Sequence, residues 1–376
     1  MKKPLFILLL LSIGLGAIAQ YNIGHTTITF NDPSRSRDIQ TEIYYPANTA
    51  GNNVQISNGT FPTIIFGHGF VMAWDSYDNF WEELVPQGYI MLYPRTEGSM
   101  SPSHDAFALD LAFLVSAIQD ENLNVSSIFY GAVDQECAIM GHSMGGGCSV
   151  LAAATNPGIT TLVNFAAAET NTSAIAAAAS VTVPALIFAG SVDCVAPPAD
   201  HQIPIYNAIG SDCKTLVSIT GGGHCYFANY NFNCTFGEST CMPVIPISRE
   251  EQHAAIFSAL NPWLDFILKG NGAAFNTFND TLVASTRITY QQTCNITMQN
   301  EVSSQAVNIY PNPANDFILI ESDREISSVE IYNTSGNMVK ASAESRISLS
   351  GMTEGIYCVK ITAGKVVFSR RILVMP

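Results

Sequence analysis

Gly141-His142-Ser143-Met144-Gly145-Gly146 lies between a short apolar run, Cys137-Ala138-Ile139-Met140, and a helix-like stretch, Gly147-Cys148-Ser149-Val150-Leu151-Ala152-Ala153-Ala154. Strand, G-x-S-x-G, helix is the pattern of a nucleophile elbow, a turn so sharp that only small residues fit beside the serine. The turn lifts the hydroxyl clear of the sheet edge, where a substrate carbonyl can reach it.

The surrounding pattern fits such an elbow. Short stretches rich in apolar residues are the candidate strands, at 41–45, 63–66, 89–93, 137–140, 161–165, 185–189 and 216–220. Helical periodicity predicts helices at 105–119, 144–154, 200–209 and 250–268. In the first of these helices, Phe107, Leu111, Leu114, Val115 and Ile118 share one face, with Asp110 and Gln119 on the other. Strands that are apolar throughout and alternate with helices imply a mostly parallel central sheet covered on both faces. The fold class expected is therefore α/β, an α/β-hydrolase fold.

A serine hydroxyl is a weak nucleophile at neutral pH. It needs a base within hydrogen-bond reach, and the base needs an orienting carboxylate. In this fold they follow in the order Ser, Asp/Glu, His. Of the seven histidines, His224 alone follows a strand through a flexible glycine run, Gly221-Gly222-Gly223. Asp193 follows the buried strand 184–189 through Gly190-Ser191-Val192. The catalytic residues expected are Ser143, Asp193 and His224. The oxyanion hole is expected from the backbone N–H groups of Met144, next after the nucleophile, and Phe70, in the loop Gly67-His68-Gly69-Phe70 after the third strand. This chemistry calls for no cofactor. Neither a paired C-x-x-C nor an H-x-x-x-H spacing marks a metal site.

The two ends of the chain read differently. Met1-Lys2-Lys3, an apolar run from Leu5 to Leu11 and Ala17-Ile18-Ala19 form the pattern of a secretory signal peptide over 1–19. No later run is long enough to span a membrane. The expected catalytic domain occupies 20–296 and a polar linker 297–306. From 307 to 376 short alternating runs separated by turn signals predict a small all-β sandwich. The net charge of −15 resides before that tail, which carries seven acidic and seven basic side chains. An acidic surface disfavours nucleic acid and anionic membranes as partners. A monomer is expected.

Export makes disulfides expected among the nine cysteines. Cys234 and Cys241 bracket a short loop and are the first pairing expected. Cys194 and Cys225 directly follow Asp193 and His224, and a bond between them would tie the catalytic loops together. Cys137 and Cys148 read as small buried hydrophobes.

Two resemblances follow from these motifs. Asn308-Ile309-Tyr310-Pro311-Asn312-Pro313-Ala314, Ile331-Tyr332-Asn333-Thr334-Ser335-Gly336 and Gly355-Ile356-Tyr357 resemble the C-terminal sorting domain of type IX secretion substrates. That resemblance implies the type IX machinery as a partner and a secreted or cell-surface location. The elbow, the acid segment Val181-Thr182-Val183-Pro184-Ala185-Leu186-Ile187-Phe188-Ala189 and the segment Ile219-Thr220-Gly221-Gly222-Gly223-His224 resemble the bacterial cutinase and polyester-hydrolase branch of the α/β-hydrolases. This second resemblance implies Phe70 and Met144 lining an acyl subsite with His142 beneath it, and ester or polyester substrates such as poly(ethylene terephthalate). Ala166-Ala167-Ala168-Glu169-Thr170-Asn171 lacks the tryptophan with which that family often clamps an aromatic acyl group. The loop 225–246 is longer than the family pattern implies. Its Tyr226, Phe227, Tyr230 and Phe232 either line the cleft or pack the loop, and Tyr226 is carried as the candidate substrate contact. The reading is a secreted serine ester hydrolase. The alternatives are an esterase for small esters or acetylated polysaccharide, and a non-catalytic surface-binding protein.

Overall fold

The structure, a computed structural model, describes residues 20–242, 244–294, 307–322, 325–333, 336–363 and 366–375. The expected signal peptide and linker lie outside the described residues. The first unit is built on a ten-stranded sheet. Its strands are β1 (Asn22–Asp32), β2 (Arg37–Ala47), β3 (Gly51–Asn52), β4 (Phe61–Gly67), β5 (Ile90–Pro94), β6 (Val133–His142), β7 (Thr161–Phe165), β8 (Ala185–Gly190), β9 (Cys213–Ile219) and β10 (Ile288–Cys294). They lie side by side in the order β10-β9-β8-β7-β6-β4-β5-β2-β1-β3. The six central strands, β4 to β9, pair in parallel. The flanking pairs β1/β2, β2/β5 and β9/β10 are antiparallel.

Helices cover both faces. They are α1 (Asp78–Leu84), α2 (His104–Leu123), α3 (Met144–Ala153), α4 (Ala174–Ala178), α5 (Gln202–Ala208), α6 (Phe232–Ser239), α7 (Arg249–Lys269) and α8 (Gly272–Ala284). The alternation of a strand divides the core in two. Ile65, Ile139 and Ile187 pack with Leu111, Leu114 and Val150 of α2 and α3. Ile64, Phe66, Met140, Phe165 and Phe188 pack with Phe80 of α1, Trp263 and Leu264 of α7 and Phe278 of α8. Every residue of β4 is buried, which is why it reads as an unbroken apolar run.

Asp110 departs from the expectation that it lies on the outer face of its helix. It is fully buried. Its Oδ1 accepts from Arg35 Nη1 and Arg37 Nε, both at 2.8 Å, and its Oδ2 from Arg37 Nη2 at 2.7 Å. Two guanidiniums from the β1–β2 hairpin thus take the carboxylate inward.

The tail is an antiparallel sandwich of its own. One sheet holds β11 (Val307–Tyr310), β12 (Phe317–Ser322) and β15 (Arg346–Ser348); the other holds β13 (Ile326–Tyr332), β14 (Met338–Ser342), β16 (Gly355–Ala363) and β17 (Val366–Val374). Val307, Ile318, Val329, Ile331, Val359 and Ile361 form its separate core. Alternate residues of β12, β13 and β16 face that core, as the short alternating runs predict.

Candidate active site

Ser143 sits between β6 and α3 with φ 55° and ψ −121°, a conformation that non-glycine residues rarely adopt. The glycines around it permit the turn by close approach. A Cβ on Gly145 would lie 2.2 Å from the carbonyl oxygen of Gly67, and one on Gly141 would lie 2.3 Å from that of Gly145. The elbow and the β4 loop therefore touch backbone to backbone.

The three expected residues meet at the carboxyl ends of β6, β8 and β9. His224 Nε2 lies 2.9 Å from Ser143 Oγ, and His224 Nδ1 lies 2.7 Å from Asp193 Oδ2. Asp193 Oδ1 accepts the N–H groups of Val195 and Ala196, each at 2.9 Å, which fixes the plane of the carboxylate. A carboxylate only accepts, so Nδ1 carries the proton and Nε2 faces the serine with its lone pair.

His142 lies beneath. Its Nε2 is 3.1 Å from the His224 carbonyl, so that nitrogen is the donor. Its Nδ1 then accepts from the Tyr77 hydroxyl at 3.0 Å, and that hydroxyl accepts the Gly69 N–H at 2.8 Å. With the Gly69 donor engaged, the Phe70 N–H is left in the β4 loop. Neither it nor the Met144 N–H meets an acceptor among the described residues. Val71, next in that loop, has φ 51°, an uncommon value for a β-branched residue.

Burial holds His142 well below the ordinary imidazole pKa, aided by the neighbouring His224, whose ring centre is 4.8 Å away. Burial also lowers His68. The fold thus favours the neutral ring of both, while in the unfolded chain each takes up a proton below about pH 6.5. Stability contributed this way is full above that pH and falls below it, by up to about 1.4 kcal/mol per pH unit for each histidine. Tm measured by calorimetry is expected to drop between pH 7 and pH 5, and His142→Gln to make that slope shallower. An unchanged slope in the variant would refute this account.

Ser143 and His224 open into a cleft of about 300 Å³ lined also by Phe70, Val71, Met72, Met100, Val195, Asn233, Cys234, Phe236 and Gly237. Apart from His224 no lining side chain is ionisable in use. Of the expected substrate contacts, only Phe70 reaches it. His142 is fully buried, the side chain of Met144, the first residue of α3, packs into the core, and Tyr226 lies under the Arg249 guanidinium at 4.4 Å. The Tyr226 expectation is corrected on that ground: Tyr226 is not among the residues that line the cleft, and its ring is engaged by the half-buried Arg249 guanidinium. Phe227 is core, and Tyr230 and Phe232 are exposed. Phe70 and Phe236 are the aromatic lining, and Phe236 is stacked on Phe232 with ring centres 6.2 Å apart.

The disulfides are Cys194–Cys241, Cys225–Cys234 and Cys213–Cys294. Both expected pairings are overturned. Cys234 lies within α6 and Cys241 just beyond its end. Seven helical residues separate Cα atoms by about 10 Å, beyond disulfide reach. Each catalytic loop is instead tied to α6. Cys213 and Cys294 face each other across β9 and β10. Cys137 and Cys148 are buried, as expected. Among the described residues no cluster of His, Cys, Asp or Glu is placed to hold a metal, and no helix is long and apolar enough to cross a membrane.

Known proteins share these features. Residues 308–375 match the family described as secretion system C-terminal sorting domain, which marks the tail as an export signal. Cutinase est1 of Thermobifida alba is 27% identical over 198 residues, 52% of this chain and 60% of that protein. Cutinase 1 of Thermobifida cellulosilytica is 26% identical over 185 residues, 48% of this chain and 64% of that protein. A bis(hydroxyethyl) terephthalate hydrolase of Streptomyces coelicolor is 27% identical over 170 residues, 45% of this chain and 49% of that protein. The chain thus spans less than two thirds of each. Residues 24–241, more than half of the chain and including the whole elbow, the acid loop and the histidine loop, match the family described as PET hydrolase-like, and the chain belongs to that family.

Proposed function

We propose that this protein is a secreted serine carboxylic-ester hydrolase that cleaves polyesters such as poly(ethylene terephthalate) and short acyl esters. The observation that carries the reading is the hydrogen-bonded sequence Ser143, His224, Asp193 opening on an uncharged, largely apolar cleft. Such a cleft suits a neutral ester better than a charged one, because desolvating an ion there is costly. Relatives named as cutinases and as a terephthalate-ester hydrolase support the same substrate class. We further propose that residues 20–296 form the catalytic unit and 307–376 the tail read by type IX secretion. The site is complete in one chain, which supports a working monomer.

In this reading Ser143 Oγ attacks the ester carbonyl while His224 Nε2 takes its proton. The Phe70 and Met144 N–H groups hold the oxyanion of the tetrahedral intermediate. His224 then protonates the leaving alcohol. Water, activated by the same histidine, releases the acyl group. Asp193 keeps the imidazole in the one tautomer that can do this and stabilises the imidazolium.

Release of soluble acids from an amorphous polyester film, measured beside p-nitrophenyl butyrate hydrolysis, tests the proposal. Wild type is expected to act on both. Butyrate turnover without film release would leave a small-ester esterase. Phe236 should separate the two substrates. Its ring is 64% exposed, so only a substrate large enough to cover it gains from it. Phe236→Ala is expected to cut film release about tenfold, the value of burying roughly half to all of an aromatic ring, and butyrate turnover much less. Equal losses on both would remove Phe236 from the polymer-binding wall.

A further inference from the structure

The backbone around His224 is held almost entirely by side chains. Gln252 of α7 accepts the Gly223 N–H and donates to the Gly223 carbonyl, both at 3.0 Å. His142 donates to the His224 carbonyl, and Arg249 donates to the carbonyls of Cys225 and Ala228. The two remaining donors, the N–H groups of His224 and Cys225, go to one atom: Oε1 of Glu238, at 2.7 and 3.2 Å.

Glu238 differs from the other three in where it comes from. Gln252 and Arg249 belong to α7 and His142 to β6, both parts of the main framework. Glu238 belongs to α6, within the long segment between His224 and α7. It is buried, at 5% exposure. One disulfide joins α6 to Cys225, next to His224, and the other joins its far end to Cys194, next to Asp193. The two bonds set the helix at a fixed place over the catalytic loops, with Glu238 between them.

We propose that Glu238 is a positioning residue for His224, acting through the two backbone N–H groups it accepts, and that α6 and its disulfides exist in part to deliver it. The proposal rests on the esterase reading only for its assay, since the geometry is independent of the substrate. Without the acceptor, two buried donors are left unpaired, and each such group is costly enough to drive the turn toward another conformation. The imidazole moves with its own backbone. A displacement of about 1 Å at a catalytic group can cost about 100-fold in rate.

The test compares Glu238→Ala, Glu238→Gln and Glu238→Asp in the full chain. Two readouts are used: p-nitrophenyl butyrate kinetics, and the rate at which a fluorophosphonate labels Ser143, which needs the activated serine but no knowledge of the substrate. Glu238→Ala is expected to lower kcat and the labelling rate about 10- to 100-fold with KM changed less than about threefold. Glu238→Gln keeps an oxygen acceptor in the same place and is expected to restore both to within about threefold of wild type. Glu238→Asp, one methylene shorter and able to fold where alanine is not, is expected to fall between them. Full activity in Glu238→Ala, or a loss in Glu238→Gln as large as in Glu238→Ala, would overturn the proposal. A wild type that labels with fluorophosphonate yet hydrolyses neither ester would sink the substrate reading alone, leaving the labelling comparison to decide on Glu238.

Discussion

Ser143→Ala is expected to lower kcat for p-nitrophenyl butyrate by about 10⁴- to 10⁶-fold, with KM nearly unchanged. The size follows from the geometry. Ser143 Oγ is the atom that meets His224 Nε2, at 2.9 Å, and the elbow holds it there at a strained φ. The Cβ of alanine fits the same turn, so the fold should be kept and the chemistry lost. What remains is what the proposed Phe70 and Met144 donors and the cleft contribute without the serine hydroxyl. Asp193→Asn is expected to cost about 10⁴-fold by another route. The asparagine amide offers N–H where Oδ2 now accepts from Nδ1, so the ring turns its proton toward the serine and can no longer act as base. Because the residues act as one unit, a Ser143→Ala/His224→Ala double variant should be no slower than Ser143→Ala alone. Steady-state kinetics on purified variants with matched Tm check all three. A Ser143→Ala enzyme that kept a tenth of wild-type kcat would place the nucleophile elsewhere.

The elbow was legible because it is local. Its strand, its serine and its glycines are consecutive, and the constraint on each is steric. The buried parallel strands were legible for a related reason: a strand covered on both faces must be largely apolar, as β5, β8 and the second half of β6 are. The edges were harder. β1 alternates buried and exposed residues, and β10 exposes most of its length, so neither forms a run that stands out. Helix α6 shows a weak apolar stripe, yet Asn231 offers a signal, since its Oδ1 caps the helix by accepting the Cys234 N–H at 3.0 Å. Reading that cap turns 232–239 into a helix and removes the Cys234–Cys241 pairing at once. Glu238 and Asp110 had no sequence signal. A carboxylate is buried when groups from other elements satisfy it: Asp110 meets guanidiniums 73 and 75 residues away, and Glu238 meets N–H groups of a different loop.

Asp110→Ala is expected to destabilise the protein by about 3–5 kcal/mol, the range for removing one partner from a buried ion pair. The carboxylate is fully buried between Arg35 and Arg37. Its attraction pushes the Arg37 pKa above the ordinary guanidinium range, a sign that the cation is held in place by it. Alanine leaves both guanidiniums under the hairpin with only Asp32 and Glu97 to answer them. For a unit of this size the main unfolding transition should fall by about 10 °C. The network also reaches the loop before α2. Glu97 Oε1 binds Arg37, and Glu97 Oε2 accepts the Ser103 N–H at 2.6 Å, at the cap of that helix. It does not touch Ser143, Asp193 or His224. Activity measured well below the transition should therefore stay within about threefold of wild type, since distant, independent sites add. A double variant, Asp110→Leu with Arg37→Met, is expected to recover part of the loss, because replacing the pair by apolar groups removes the stranded charge that makes the single change costly. Urea titration of the three proteins decides it. A single variant losing less than about 1 kcal/mol, the range of an exposed pair, would mean that water already reaches Asp110 and that the hairpin is held to α2 by packing alone.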